Sequence, residues 1–124
     1  MKIAVLGAGA WGTALAIQAA RSGDRVALWA RDPAKIDAMR RTRSNPRLPN
    51  IDLPDNIDIV GDFPVGGTVL LVVPAQHLRA IARAMPIPTG PVVVCAKGVE
   101  VGTLRLPLEI LAEVWPNATT AVLT

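Results

Sequence analysis

Near the amino end, Gly7, Gly9 and Gly12 stand in G-x-G-x-x-G spacing within Gly7-Ala8-Gly9-Ala10-Trp11-Gly12. Glycine at each place permits something a side chain would forbid. Gly7 allows a tight turn, Gly9 lets backbone approach a pyrophosphate, and Gly12 allows a helix to pack closely on a strand. If a helix starts here, its first-turn N–H groups and partial positive charge face those phosphates. The spacing alone is a weak signal, because glycine is common. An apolar strand pattern before it and a helical pattern after it make nucleotide binding outweigh an incidental turn.

About 20 residues further on, where such a fold chooses between dinucleotides, stand Arg31 and Asp32. An acidic side chain there can take a ribose 2′-hydroxyl, while an arginine suits a 2′-phosphate. Asp32 precedes Pro33 and suits a helix N-cap, which leaves Arg31 freer to meet the adenosine end. The preferred ligand is therefore NADP, with NAD left open; the competing reading of Arg31 is a solvated surface charge. Lys97 follows an apolar run, at the carboxyl end of a strand, where ligands bind in open α/β sheets. Its ammonium could attract a phosphate or polarise a carbonyl oxygen, or simply face water.

Two further residues invite chemistry and are read otherwise. His77 is the one histidine, and no carboxylate stands at useful spacing from it. Packing beside the ligand crevice, or a surface position, suits it better than acid catalysis. Cys95, in Val92-Val93-Val94-Cys95-Ala96, reads as a small apolar residue of a buried strand. As the single cysteine it can form no internal disulfide, which fits a reducing cytoplasm. No residue is assigned as a catalytic group or a metal ligand.

These residues need a scaffold, and the apolar pattern supplies one. Strands are predicted over residues 2–6, 25–30, 57–60, 68–73, 91–96 and 119–123. A helix over about residues 10–22 ends at Gly23, and Asp32-Pro33 opens a second one, with Ile36 and Met39 on its buried side. Pro74 opens a third, with Leu78, Ile81, Ala82 and Met85 at helical spacing; a fourth carries Leu104, Leu108, Leu111 and Trp115. Residues 42–55, rich in Pro, Asn and Arg, read as a loop, and residues 61–67 are too few for a full crossover helix. Alternating strands and helices imply right-handed crossovers. The predicted class is α/β, a Rossmann-like doubly wound, mostly parallel sheet with helices on both faces.

Composition narrows the partners. The 124 residues are 51% hydrophobic and 19% charged, enough for one globular core and against disorder. The net charge of +3 is gathered at Arg40, Arg41, Arg43 and Arg47, a patch that could face phosphate, nucleic acid or solvent. With no Tyr and one Phe, the stacking platforms for single-stranded bases are missing, so nucleic acid is not an expected partner. Residues 3–20 are uncharged, but their glycines, Gln18 and Trp11 fit strand, turn and helix better than a targeting or membrane segment.

Extended through Thr13-Ala14-Leu15-Ala16, the glycine turn resembles that of bacterial-type NAD(P)-dependent glycerol-3-phosphate dehydrogenases. Leu28-Trp29-Ala30-Arg31-Asp32, Asn45 with Leu48-Pro49, Val73-Pro74-Ala75-Gln76 with Leu78-Arg79, and Lys97-Gly98-Val99-Glu100 resemble further family segments in the same order. The resemblance implies hydride transfer between NAD(P)H and glycerone phosphate, giving sn-glycerol 3-phosphate for phospholipid synthesis in the cytoplasm. It places Ala10 and Trp11 against the cofactor, Arg31 on its adenosine side, and Lys97 near both cofactor and substrate.

It also implies that residues 1–124 are an NAD(P)-binding Rossmann domain, and that a helical substrate domain carrying the proton-donating lysine lies outside this chain. Two departures stand out. Asn45-Pro46-Arg47-Leu48-Pro49 is shorter than the family's loop and lacks its aromatic residue, and residues 62–67 are abbreviated where the family has a helix. The alternatives are a non-catalytic nucleotide-binding module and the cofactor domain of another dehydrogenase. A homodimer hiding Val122 and Leu123 would accompany the first of these.

Overall fold

The computed structural model describes residues 2–123. Its main sheet has six strands: β1 (Ile3–Leu6), β2 (Val26–Trp29), β5 (Ile57–Val60), β6 (Thr68–Leu71), β7 (Val92–Val94) and β8 (Thr120–Val122). They lie in the order β5-β2-β1-β6-β7-β8, and every pairing is parallel. Numbered within the sheet alone, that is the 3-2-1-4-5-6 order of the Rossmann fold. The strand order reverses between β1 and β6, and a crevice opens there at the carboxyl edge.

The short strands are apolar on both sides because both sides are covered. Ala4 and Leu6 point into one core and Val5 into the other. Helices α1 (Ala10–Ala20) and α2 (Pro33–Thr42) cover Val5, Val26 and Leu28 with Ala16, Ala20, Ile36 and Met39. On the opposite face, α3 (Ala75–Ala84) and α4 (Pro107–Val114) cover Leu6, Leu71, Val92 and Val94 with Leu78, Ile81, Ile110 and Leu111. Small side chains on α1, Ala16 and Ala20, let its backbone lie close to the sheet.

Three predicted features change. Residues 42–55 are not an open loop: β3 (Ser44–Asn45) and β4 (Leu48–Asp52) form an antiparallel hairpin. Arg43 enters it in a left-handed conformation (φ 50°) that closes α2, and Leu53 N–H donates to Arg43 O at 2.7 Å. Leu104 lies outside α4, left-handed at φ 59° and exposed. Pro107 sets the helix start instead, with Glu109 Oε1 accepting from Leu106 N–H at 2.9 Å. The strands predicted over residues 68–73 and 91–96 stop at Leu71 and Val94, so Val72, Val73, Cys95 and Ala96 are left at the sheet's edge.

Residues 61–67 form no helix, and geometry explains it. They join β5 to β6, three strand spacings away, about 14 Å across and about 10 Å back along the strands. A seven-residue helix would span only about 11 Å, against a diagonal of about 18 Å. Extended chain reaches roughly 25 Å. The face left without a crossover helix is patched by Phe63, which stacks on Trp29 at 5.0 Å between ring centroids.

Candidate nucleotide-binding crevice

A cavity of about 650 Å³ runs along the carboxyl edge of the sheet, and all seven site residues expected from sequence line it: Gly7, Gly9, Ala10, Trp11, Gly12, Arg31 and Lys97. The glycine turn forms its centre. Gly7 has φ 120°, and a Cβ on it would collide with the Val72 carbonyl of the adjoining β6 segment. A Cβ on Gly12 would strike the Gly7 carbonyl oxygen, so the helix sits on the turn with no room for a methyl group. Gly9 differs. Nothing lies within 4 Å of the position its Cβ would take. Gly9 itself lines the cavity.

Gly9 is also the N-cap of α1 and supplies no side-chain cap, and the helix has no acidic residue in its first turn. The first-turn N–H groups therefore keep their donors for an anion. Trp11, 53% exposed, also lines the cavity. An open glycine, uncapped amides and a concave, mostly apolar wall fit a dinucleotide pyrophosphate, with the indole able to cover what lies beyond it.

The turn is held from outside by a residue the chemistry of the sequence did not single out for this work. Asn45, 4% exposed, donates through Nδ2 to Ala8 O at 2.9 Å and to Thr13 Oγ1 at 2.8 Å. Its Oδ1 accepts from Arg47 N–H at 3.0 Å. The β3–β4 hairpin is thereby clasped onto the glycine turn, and Arg47 is set on the cavity rim. Only the resemblance marked Asn45, because an isolated asparagine in a Pro-rich stretch carries no spacing signal.

Arg31, Lys35 and Arg47 line one side of the crevice, and among the described residues none of the three is ion-paired. Asp32, beside them, is engaged as the cap of α2: its Oδ1 accepts from Ala34 N–H at 3.0 Å. Lys35 lies four residues beyond Arg31, in the first turn of α2, and has no spacing signal in the sequence. The arginine patch disperses. Arg40 donates to Ile59 O at 2.8 Å and Arg43 to Ile57 O at 2.9 Å, fastening α2 and the hairpin to β5. Of the four arginines, only Arg47 reaches the crevice.

On the other side of β1, the crevice is walled by Val73, Pro74 and His77 from the start of α3 and by Cys95, Ala96 and Lys97 after β7. Lys97 and His77 are both exposed. Cys95 is buried, its N–H donating to Leu71 O at 2.9 Å, and burial pushes its thiol above the usual range. The apolar reading of that cysteine fits this setting. Among the described residues, no helix is long and apolar enough to cross a membrane.

The family model described as NAD-dependent glycerol-3-phosphate dehydrogenase N-terminus matches residues 2–124. The chain is 49% identical over 126 residues to the glycerol-3-phosphate dehydrogenase [NAD(P)+] of Gluconobacter oxydans (strain 621H), covering 98% of this chain and 38% of that protein. It is 49% identical over 123 residues to that of Acidiphilium cryptum (strain JF-5), covering 99% and 38%. It thus spans under two fifths of the length of these relatives. Among solved structures it superposes on glycerol-3-phosphate dehydrogenase from Coxiella burnetii with a TM-score of 0.85 at 30% identity, over 98% of this chain and 39% of the other. It superposes on the putative 2-dehydropantoate 2-reductase from Enterococcus faecalis with a TM-score of 0.71 at 25% identity, over 98% and 40%. The extent of the family match and the two relatives at nearly half identity decide the matter: this chain belongs to the family of NAD-dependent glycerol-3-phosphate dehydrogenase N-terminal domains.

Proposed function

We propose that residues 1–124 are the cofactor-binding domain of a cytoplasmic NAD(P)-dependent glycerol-3-phosphate dehydrogenase, which interconverts glycerone phosphate and sn-glycerol 3-phosphate for phospholipid synthesis. The observation that carries this is the unobstructed Gly9 at the uncapped start of α1, in a crevice that also gathers Arg31 and Lys97. A nicotinamide dinucleotide supplies hydride when bound. The chain's own residues grip and orient it: first-turn amides take the pyrophosphate, Trp11 covers the crevice, and Lys97 offers its ammonium to a phosphate or carbonyl oxygen of the substrate. The proton donor belongs to a helical domain beyond this chain.

NADP is the preferred form. Among the described residues Arg31, Lys35 and Arg47 line one side of the crevice without an ion pair, which supports this reading, while Asp32 beside them accepts from a backbone amide. Fluorescence titration with NADPH and NADH tests both parts. Saturable binding of each, tighter for NADPH by about tenfold, is the expected result, and Arg31→Ala brings the two affinities together. Binding of neither dinucleotide would remove the reading.

A further inference from the structure

Two segments separated by residues 80–96, Pro74-Ala75-Gln76-His77-Leu78-Arg79 and Lys97-Gly98-Val99-Glu100, meet in space through side chains that never reach the crevice. Gln76 Nε2 donates to Val99 O at 2.8 Å, and its Oε1 accepts from Val101 N–H at 2.8 Å. One amide thus closes on both sides of Glu100. Arg79 then grips Glu100 itself, with Nε on Oε2 and Nη2 on Oε1, both at 2.9 Å. These two side chains are only 17% and 13% exposed. Thr103 Oγ1 adds a donor to the same carboxylate at 2.6 Å, and Arg79 continues to Glu113 of α4, where Arg105 also binds at 2.6 Å.

The restraint falls on an otherwise weakly held stretch. Residues 97–101 carry no helix or strand, Gly98 has φ 90°, and Lys97, Val99 and Val101 are all exposed. Ala96 before it packs against the core, but past Lys97 the apolar side chains Val99 and Val101 face solvent. We infer that Gln76, Arg79 and Glu100 form a latch that positions Lys97 against the nicotinamide half of the bound dinucleotide, an inference resting on the cofactor reading above. The topology assigns the half. Arg31 follows β2 on one side of β1, and Lys97 follows β7 on the other. A pyrophosphate at the β1–α1 junction therefore sends the adenosine towards Arg31 and the nicotinamide towards Lys97. Gln76, Arg79 and Glu100 are positioning residues, since none of them lines the crevice.

The test compares two probes on the same variants: NADPH, and 2′-phospho-ADP-ribose, which lacks the nicotinamide and is otherwise the same molecule. Gln76→Ala and Glu100→Gln are each expected to weaken NADPH by about five- to tenfold while leaving 2′-phospho-ADP-ribose within about twofold. Arg79→Ala is expected to do the same, and Arg79→Lys, which keeps charge without the fork, to restore part of the loss. A merely structural role moves both probes in parallel, and that outcome, or no change in either, overturns the latch. Should Arg79→Ala fail to fold, the other two variants decide it. Wild-type binding of neither probe removes the cofactor reading; wild-type binding of both with a parallel loss in the variants removes the latch alone.

Discussion

Gly9 and Gly12 are three residues apart, and one added methyl group should affect them in opposite ways. At Gly12 it meets the Gly7 carbonyl oxygen, backbone against backbone, with nothing flexible to yield. Gly12→Ala is expected to cost about 3 kcal/mol or more in urea unfolding, at the upper end of overpacking penalties. At Gly9 the backbone is extended (φ −74°, ψ −175°) and the space is empty, so alanine fits without strain. Gly9→Ala should leave stability within about 0.5 kcal/mol of wild type. Its methyl group occupies the opening assigned to pyrophosphate, so NADPH affinity should fall about tenfold or more in the same preparation. Equal behaviour of the two variants in both measurements would mean that the opening at Gly9 is not where phosphate sits. The G-x-G-x-x-G motif marks both glycines alike; only the presence of Gly7 and Val72 against Gly12, and of nothing against Gly9, tells them apart, and a sequence does not name neighbours.

Among elements, the legible ones were those whose own residues fix them. Asp32-Pro33 specifies the start of α2, and the Asp32–Ala34 hydrogen bond is what that pair implies. The β3–β4 hairpin was not legible, because its strands bury little of their own: β4 is exposed over most of its length. It is held by single side chains, Asn45 to the turn and Arg43 to the backbone carbonyl of Ile57, and such bonds leave no periodicity. Leu104 misled for the opposite reason, fitting a helical spacing that Pro107 begins too late to use. The latch between α3 and the Lys97 loop was likewise hidden, its ends lying 21 residues apart, but it leaves a titratable mark. Hydrogen bonds from Arg79 and then Thr103 hold the Glu100 carboxyl at about 2, below its ordinary 4.5. A carboxyl depressed on folding stabilises above its unfolded value and loses that contribution as pH falls towards the folded one. Urea midpoints should therefore drop between about pH 4.5 and 2, and Glu100→Gln should flatten that part of the profile. Asp58, lowered chiefly by its hydrogen bond from Arg25, adds a slope of the same sign that persists in the variant. An unchanged profile in Glu100→Gln would show that the latch contributes nothing to folding in that range.

At the scale of the whole molecule, strand order was legible because parallel strands leave few choices: right-handed crossovers and one Gly-rich turn specify the doubly wound sheet. That order gives the crevice its mechanical character. Its walls come from four stretches of chain: the turn at residues 7–12, the segment from Trp29 to Arg47, the start of α3 from Val72 to Ile81, and the loop ending at Lys97. The second is clasped to the first by Asn45; the Lys97 loop is fastened to α3 and α4 on the opposite face of the sheet. A dinucleotide lying across β1 would reach walls on both sides of it and so tie the two layers of helices together. Binding to the folded chain alone must then appear as stability. At a free concentration one hundred times its dissociation constant, NADPH adds about 2.7 kcal/mol, or roughly 10 °C in melting temperature for a domain of this size. The shift should grow with the logarithm of concentration, and 5′-AMP, which cannot span the crevice, should give much less at equal concentration. A melting temperature that stays constant across the NADPH series, or that rises equally with 5′-AMP, would mean that no ligand joins the walls, and the crevice would have to be read as the uncovered edge of a sheet.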